Sequence, residues 1–156
     1  LVLTVAGAAA AAQTPARAPD FLVHGTNIDE PRMLSEYRGK VVYVDFWASW
    51  CAPCRQSFPF MNELHAQYAD DGLVVVGVNL DEEREAARRF LEHVPADFPI
   101  VYNPEGDLAE KYAVKAMPSS YIVGPDGRIV HRKLGFRLGE REEMERLIAR
   151  QLERVE

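Results

Sequence analysis

Cysteine is scarce in this chain. Its 156 residues include two, Cys51 and Cys54, three positions apart. Two are too few for a disulfide scaffold, and too few for an all-cysteine zinc site, which needs four ligands. The 4 histidines, His24, His65, His93 and His131, are scattered without ligand spacing. Cationic excess is also missing: a net charge of −6 argues against nucleic acid as the main partner. No glycine pattern of the nucleotide-binding kind occurs, and there is no internal repeat. The one long uncharged run, Leu1 to Ala12, is too short to span a bilayer. What is present is ordinary for a soluble globular protein: 47% hydrophobic and 27% charged residues, in a length that suits one domain with a real core.

The sequence starts at Leu rather than Met. Its first 12 residues are apolar or small apart from Thr4, and they end in alanines followed by Gln13-Thr14-Pro15. This suits the apolar region and small-residue cleavage zone of a secretory signal, with its charged part upstream. A membrane anchor is the other reading if more apolar sequence precedes Leu1, and an alanine-rich tail is the bland one. Residues 1–19 are therefore expected to be a truncated signal or anchor segment plus linker, and residues 20–156 the domain. The location this implies is periplasmic or otherwise extracytoplasmic.

Along the domain, Phe21-Leu22-Val23 reads as a short edge strand. Met33, Leu34 and Tyr37 form a small apolar cluster before the turn Arg38-Gly39-Lys40. Val41 to Trp47 is almost continuously apolar and predicts a central strand buried on both faces. The helix after Cys51 carries Phe58, Met61, Leu64 and Tyr68 at spacings of three and four, with Pro59 inside it as an expected kink. Leu73 to Leu80 predicts a second central strand. A helix is expected over Glu82 to His93 with Ala86, Phe90 and Leu91 inward, and its charges read as a solvated face. A short strand follows over Phe98 to Tyr102, then a short helix with Asp107 as N-cap. Ser119 to Val123 and Arg128 to Arg132 flank Gly124-Pro125-Asp126-Gly127, a hairpin signal. A last helix over Glu140 to Glu153 places Met144, Leu147, Ile148 and Leu152 on one face. The order predicts an α/β fold, a mixed central sheet with helices on both faces.

Two cysteines spaced this way at a helix start can close a small disulfide ring. The first sits over unpaired backbone N–H groups and the positive end of the helix dipole, which favours its thiolate. A thiolate attacks disulfides, and the second thiol can resolve the mixed disulfide. Cys51 is thus the expected nucleophile and Cys54 the resolving thiol. Pro53 restricts the turn between them and suits a first-turn position. Trp50 reads as a shield for the site or as core filling, and Trp47 as core. Asp45 is a carboxylate inside an apolar strand, where burial should raise its pKa. It could then take the proton from Cys54 during resolution. The alternative is an acid hydrogen-bonded to neighbouring backbone for structure only.

The run Phe46-Trp47-Ala48-Ser49-Trp50-Cys51-Ala52-Pro53-Cys54-Arg55 resembles the active-site signature of the thioredoxin superfamily, over about Asp20 to Arg137. The segment before Arg38-Gly39-Lys40-Val41-Val42, Phe58-Pro59, the helical insert between Asp81 and Asp97, and Met117-Pro118-Ser119-Ser120 are together similar to exported TlpA/ResA-type thiol:disulfide oxidoreductases. The resemblance implies a thioredoxin-like three-layer sandwich and no cofactor. It implies a cis bond between Met117 and Pro118 facing the cysteines, and a substrate platform made by Trp50, Pro53, Met117 and Pro118. Disulfide-bearing proteins, apocytochromes among them, are the implied substrates. The implied electron donor is a membrane thiol reductase, and the domain is expected to be a monomer. Asp45 matches the buried acid of thioredoxins, where many TlpA/ResA-type proteins look to have Asn. Two departures stand out: Ser57 occupies the place of a Glu often found in ResA-type proteins, and Gly77 that of a Lys often found in thioredoxins. A thiol peroxidase would want Thr or Ser where Ala48 stands and Pro where Val44 stands. A copper metallochaperone would use two Cys and a His, usually with wider Cys spacing; His131 is the only late histidine near an expected strand. A third reading is a binding module that keeps the Cys pair as a staple.

Overall fold

The computed structural model describes residues 14–155. Its centre is a five-stranded sheet in the order β5-β4-β3-β6-β7. Strands β3 (Val41–Trp47), β4 (Leu73–Asn79) and β5 (Ile100–Tyr102) run parallel, while β6 (Ser119–Val123) and β7 (Ile129–Leu134) close the other side antiparallel. Every residue of β3 is buried, Asp45 included, as expected of a nearly continuous apolar run in a central strand covered on both faces. Before the sheet, β1 (Leu22–Val23) and β2 (Arg32–Met33) form a separate two-stranded hairpin rather than an edge of the main sheet.

Alternation along β3 sorts the core in two. Val41, Tyr43 and Trp47 face α1 (Ala52–Tyr68), α2 (Arg84–His93) and α4 (Arg141–Leu152), together with Cys51, Cys54, Phe58, Met61, Phe90 and Ile148. Val42, Val44 and Phe46 face the opposite side, against Phe21, Val23, Leu34 and the short α3 (Asp107–Lys111) with Leu108 and Tyr112. The result is a helix–sheet–helix sandwich whose second helical layer is thin. Helix α1 continues through Pro59.

Several boundaries differ from the sequence reading. Helix α2 starts at Arg84, and Ala87, three residues before Phe90, takes the buried place expected of Ala86. Phe98 lies outside β5 but is fully buried in the core. A 3₁₀ turn over Leu138–Glu140 precedes α4. Asp107 is not the cap of α3: Gly106 holds that position at φ 74°, a left-handed conformation that suits glycine. The capping bond comes from further back, where Asn103 Oδ1 accepts from the Leu108 N–H at 3.1 Å.

The stretch read as a linker runs alongside the β6–β7 turn. Ala18 N–H donates to Gly127 O at 3.0 Å, Ile129 N–H donates to Ala16 O at 2.9 Å, and Arg128 reaches Pro15 O at 2.7 Å. The apolar run at residues 1–12, with its expected signal or anchor, lies outside the described residues. Among the described residues no helix is long and apolar enough to cross a membrane.

Candidate active site

The chain leaves β3 at its C-terminal end, makes the turn Ala48–Cys51, closed by Cys51 N–H to Ala48 O at 3.1 Å, and enters α1. Cys51 is the N-cap residue, with extended backbone at φ −85°, and Pro53 sits in the first helical turn, where its missing N–H costs nothing. Cys54 is one turn in, so its side chain comes back over the helix start. The two are joined by a disulfide with Cα atoms 5.4 Å apart. Both are nearly enclosed, Cys51 5% and Cys54 0% exposed. Trp50, immediately before them, is 72% exposed. Trp47 is pure core, packed edge-on to Phe58 with ring centroids 4.8 Å apart.

The distant Met117–Pro118 bond is cis. Pro118 is buried, and Met117 packs against the apolar cluster that contains both cysteines. Gly135 N–H donates to Pro118 O at 2.8 Å, extending the β6–β7 ladder to the proline.

Asp45 lies on the α1 side of β3, 1% exposed, between Gly77 of β4 and Ser120 of β6 in the strand register. Its Oδ2 has no hydrogen-bond partner. Burial pushes its carboxyl well above the ordinary carboxylate range. An acid kept only for structure would be expected to spend its oxygens on neighbouring donors; this one leaves an oxygen unspent. Nearby Tyr43 is also raised, first by burial and then by the Asp45 charge.

The two departures from relatives have physical explanations. Ser57 is buried, and its hydroxyl donates to Cys54 O at 3.1 Å within α1, so it brings no charge to the site. Gly77 faces a filled space: an added Cβ would stand 3.0 Å from Phe98 and Ile100 side-chain atoms and 3.1 Å from Trp47 Nε1. A lysine stem there would require Phe98, Ile100 and Trp47 to give way. Gly77→Val is expected to destabilise the fold by about 1–3 kcal/mol through overpacking, read as a lower urea midpoint.

Sequence reasoning missed Asp81 and Asn79. Both are buried just where β4 ends, beside the turn that carries Cys51. The available signal was an acid closing an apolar strand at the carboxyl end of a parallel pair, where sites of α/β sheets gather. His131, the histidine weighed for copper, sits in β7 with its pKa lowered by burial. Among the described residues no group of three or more His, Cys, Asp or Glu side chains is placed to hold a metal ion.

A mixed sheet with a cysteine pair at a helix start and a cis-proline strand entry defines a thioredoxin-fold thiol–disulfide oxidoreductase. Comparison with known proteins agrees. The chain belongs to the AhpC/TSA family, whose model matches residues 15–132. It is 30% identical over 127 residues to the thiol-disulfide oxidoreductase ResA of Bacillus thuringiensis subsp. konkukian (strain 97-27), covering 81% of this chain and 72% of that relative. Among solved structures, a protein described as a candidate thiol:disulfide interchange protein DsbE from Chlorobium tepidum matches with a TM-score of 0.83 and 42% identity, over 91% of this chain and 99% of that one. The exposed lipoprotein thioredoxin Etrx1 of Streptococcus pneumoniae strain TIGR4 matches with a TM-score of 0.72 and 27% identity, over 85% and 99%.

Proposed function

We propose that this protein reduces disulfides of extracytoplasmic proteins, apocytochromes among them, through the Cys51–Cys54 dithiol. The observation that carries the reading is the pair itself at the start of α1, with a buried, incompletely bonded carboxyl on the same face of the sheet. In the forward step the Cys51 thiolate attacks a substrate sulfur, forming a mixed disulfide and releasing one substrate thiolate. Cys54 then gives its proton to Asp45 and attacks Cys51 Sγ. The Cys51–Cys54 disulfide forms, and the second substrate thiolate leaves. Two electrons have passed to the substrate, and an external dithiol, such as a membrane thiol reductase, restores the reduced pair.

Trp50, Pro53, Met117 and Pro118 form the platform on which an extended segment docks. The exposure of Trp50 and Pro53 beside the disulfide supports this, since an exposed indole next to a reactive bond contributes little to the core. Trp50→Ala is expected to leave stability unchanged and to lower kcat/KM for a protein disulfide by up to about tenfold, with little change for a small aromatic disulfide. Residues 20–156 act as one redox domain, a monomer, delivered outside the cytoplasm by the apolar run at the N-terminus. The similar Etrx1 of Streptococcus pneumoniae is an exposed lipoprotein, which supports that location.

The direction of electron flow is the decisive test. The reduction potential of the pair, measured against a glutathione series, is expected to fall below about −200 mV, on the reducing side of an oxidising compartment. A strongly oxidising value with rapid oxidation of reduced substrate would replace the reductase reading with an oxidase one. Insulin reduction, peroxide turnover and copper titration separate the oxidoreductase from a peroxidase or a metallochaperone.

A further inference from the structure

Just past β4, Asp81 is a second buried acid, 5% exposed. Its Oδ2 accepts from the Ser49 backbone N–H at 2.9 Å, and its Oδ1 accepts from the Ser49 hydroxyl at 2.6 Å. From behind, Asn79 Nδ2 donates to Asp81 Oδ2 at 2.7 Å, and the Asp81 N–H donates to Asn79 Oδ1 at 3.2 Å. Asn79 is itself 1% exposed, so the acid is held on both sides. Leu80 N–H to Trp47 O, at 2.9 Å, is where the β3–β4 ladder runs out. Beyond it, the Asp81 carboxylate continues the connection into the turn Ala48–Cys51.

This contact differs in kind from the rest of the core. Ser49 is fixed at two points, its N–H and its hydroxyl, by one planar group. Its neighbours Trp50 and Cys51 therefore inherit a fixed direction even though Trp50 is bare to solvent. In the disulfide form the small ring also restrains Cys51. On reduction that covalent restraint is lost, and the attacking sulfur is held only by the turn on which it sits and by the helix start.

We propose that Asp81 is a positioning residue for disulfide exchange: through Ser49 it clamps the turn that aims Cys51 across the start of α1, chiefly in the reduced protein. This rests on Cys51 being the attacking thiol. A loosened turn lets Cys51 swing away from the N–H groups and helix dipole that favour its thiolate, so reactivity falls.

The test is alkylation of the reduced protein by iodoacetamide from about pH 5 to about pH 9, across the range of perturbed thiols, with the modified cysteine mapped by peptide mass. Asp81→Ala is expected to slow Cys51 alkylation near neutrality about tenfold, equivalent to ~1.4 kcal/mol, and to move its profile to higher pH. Ser49→Ala keeps the backbone contact and is expected to lose less, about threefold. Asp81→Asn can accept the Ser49 N–H through its amide oxygen and donate to the Ser49 hydroxyl, so it should stay near wild type. A merely structural role would lower the melting temperature of Asp81→Ala and leave the profile of the folded protein unmoved. The proposal is overturned by an unchanged profile in Asp81→Ala, or by Asp81→Asn falling as far as Asp81→Ala. If Asp81→Ala does not fold, a wild-type profile in folded Ser49→Ala overturns it. Faster labelling of Cys54 than of Cys51 in the wild type would instead defeat the assignment of the attacking thiol.

Discussion

Cys51→Ala is expected to cut the rate of protein-disulfide reduction by at least about a thousandfold, since it removes the assigned attacking thiol and leaves only the enclosed Cys54. Cys54→Ala should fail differently. Its Cys51 can still attack, so substrate is captured once, but the mixed disulfide has no internal thiol to resolve it. A gel run without reductant should therefore show a stable adduct for Cys54→Ala and none for Cys51→Ala. The asymmetry follows from the structure: Cys51 stands at the helix cap with 5% exposure, whereas Cys54 is 0% exposed one turn inside. Equal adducts from the two variants would remove the assigned order of attack, and an adduct from Cys51→Ala alone would reverse it. Neither change should cost the fold its core, because the sheet and both apolar clusters form around many other side chains.

Asp45→Asn should separate chemistry from stability. Burial raises the carboxyl in the folded state above its unfolded value, so the folded protein holds a proton that the unfolded chain gives up. The stability carried by the neutral acid is thus fully present below the unfolded pKa and is lost as pH rises through the folded one. Between the two, the wild type should lose ~1.4 kcal/mol per pH unit relative to Asp45→Asn. Denaturation at a series of pH values should show the variants equal in acid and Asp45→Asn more stable toward alkaline pH. The rate should move oppositely: resolution of the mixed disulfide should slow by about 10²-fold near neutrality, the ordinary contribution of a general base. A resolution rate unchanged between about pH 6 and about pH 9 would remove Asp45 from the mechanism while leaving its stability effect intact.

Much of this was legible from local pattern. Val41–Trp47 is apolar but for Asp45, and Leu73–Asn79 is apolar up to its closing Asn79; they became the two innermost parallel strands. Phe58, Met61 and Leu64 repeat at helical spacing and line the inner face of α1. Cys51, Cys54 and Asp45 lie along one strand–turn–helix, so alternation and helix position sufficed to put all three on the α1 side of the sheet. What local pattern could not carry was contact between distant segments. Ala86 and Ala87 are both one turn from Phe90, and only the packing of α2 chose Ala87. Asn103 rather than Asp107 satisfies α3 because the turn at Gly106 brings its side-chain amide oxygen round to Leu108. Asp81 reaches Ser49 across 32 positions of sequence, a link no periodicity announces. For Gly77 the sequence showed a missing charge, and the structure supplied the reason: three bulky side chains already occupy the space a lysine stem would need.

The pairing of residues 16–18 with the β6–β7 turn fixes where the chain enters the domain. That turn lies beside the start of β3, because Val42 pairs with Val123, while the cysteines follow its far end. Seven strand residues separate the two levels, about 20 Å at the usual rise. The chain therefore enters at the pole away from the disulfide. A domain held at a surface by that pole would present Trp50 and the Cys51–Cys54 bond outward, free to meet a disulfide-bearing protein.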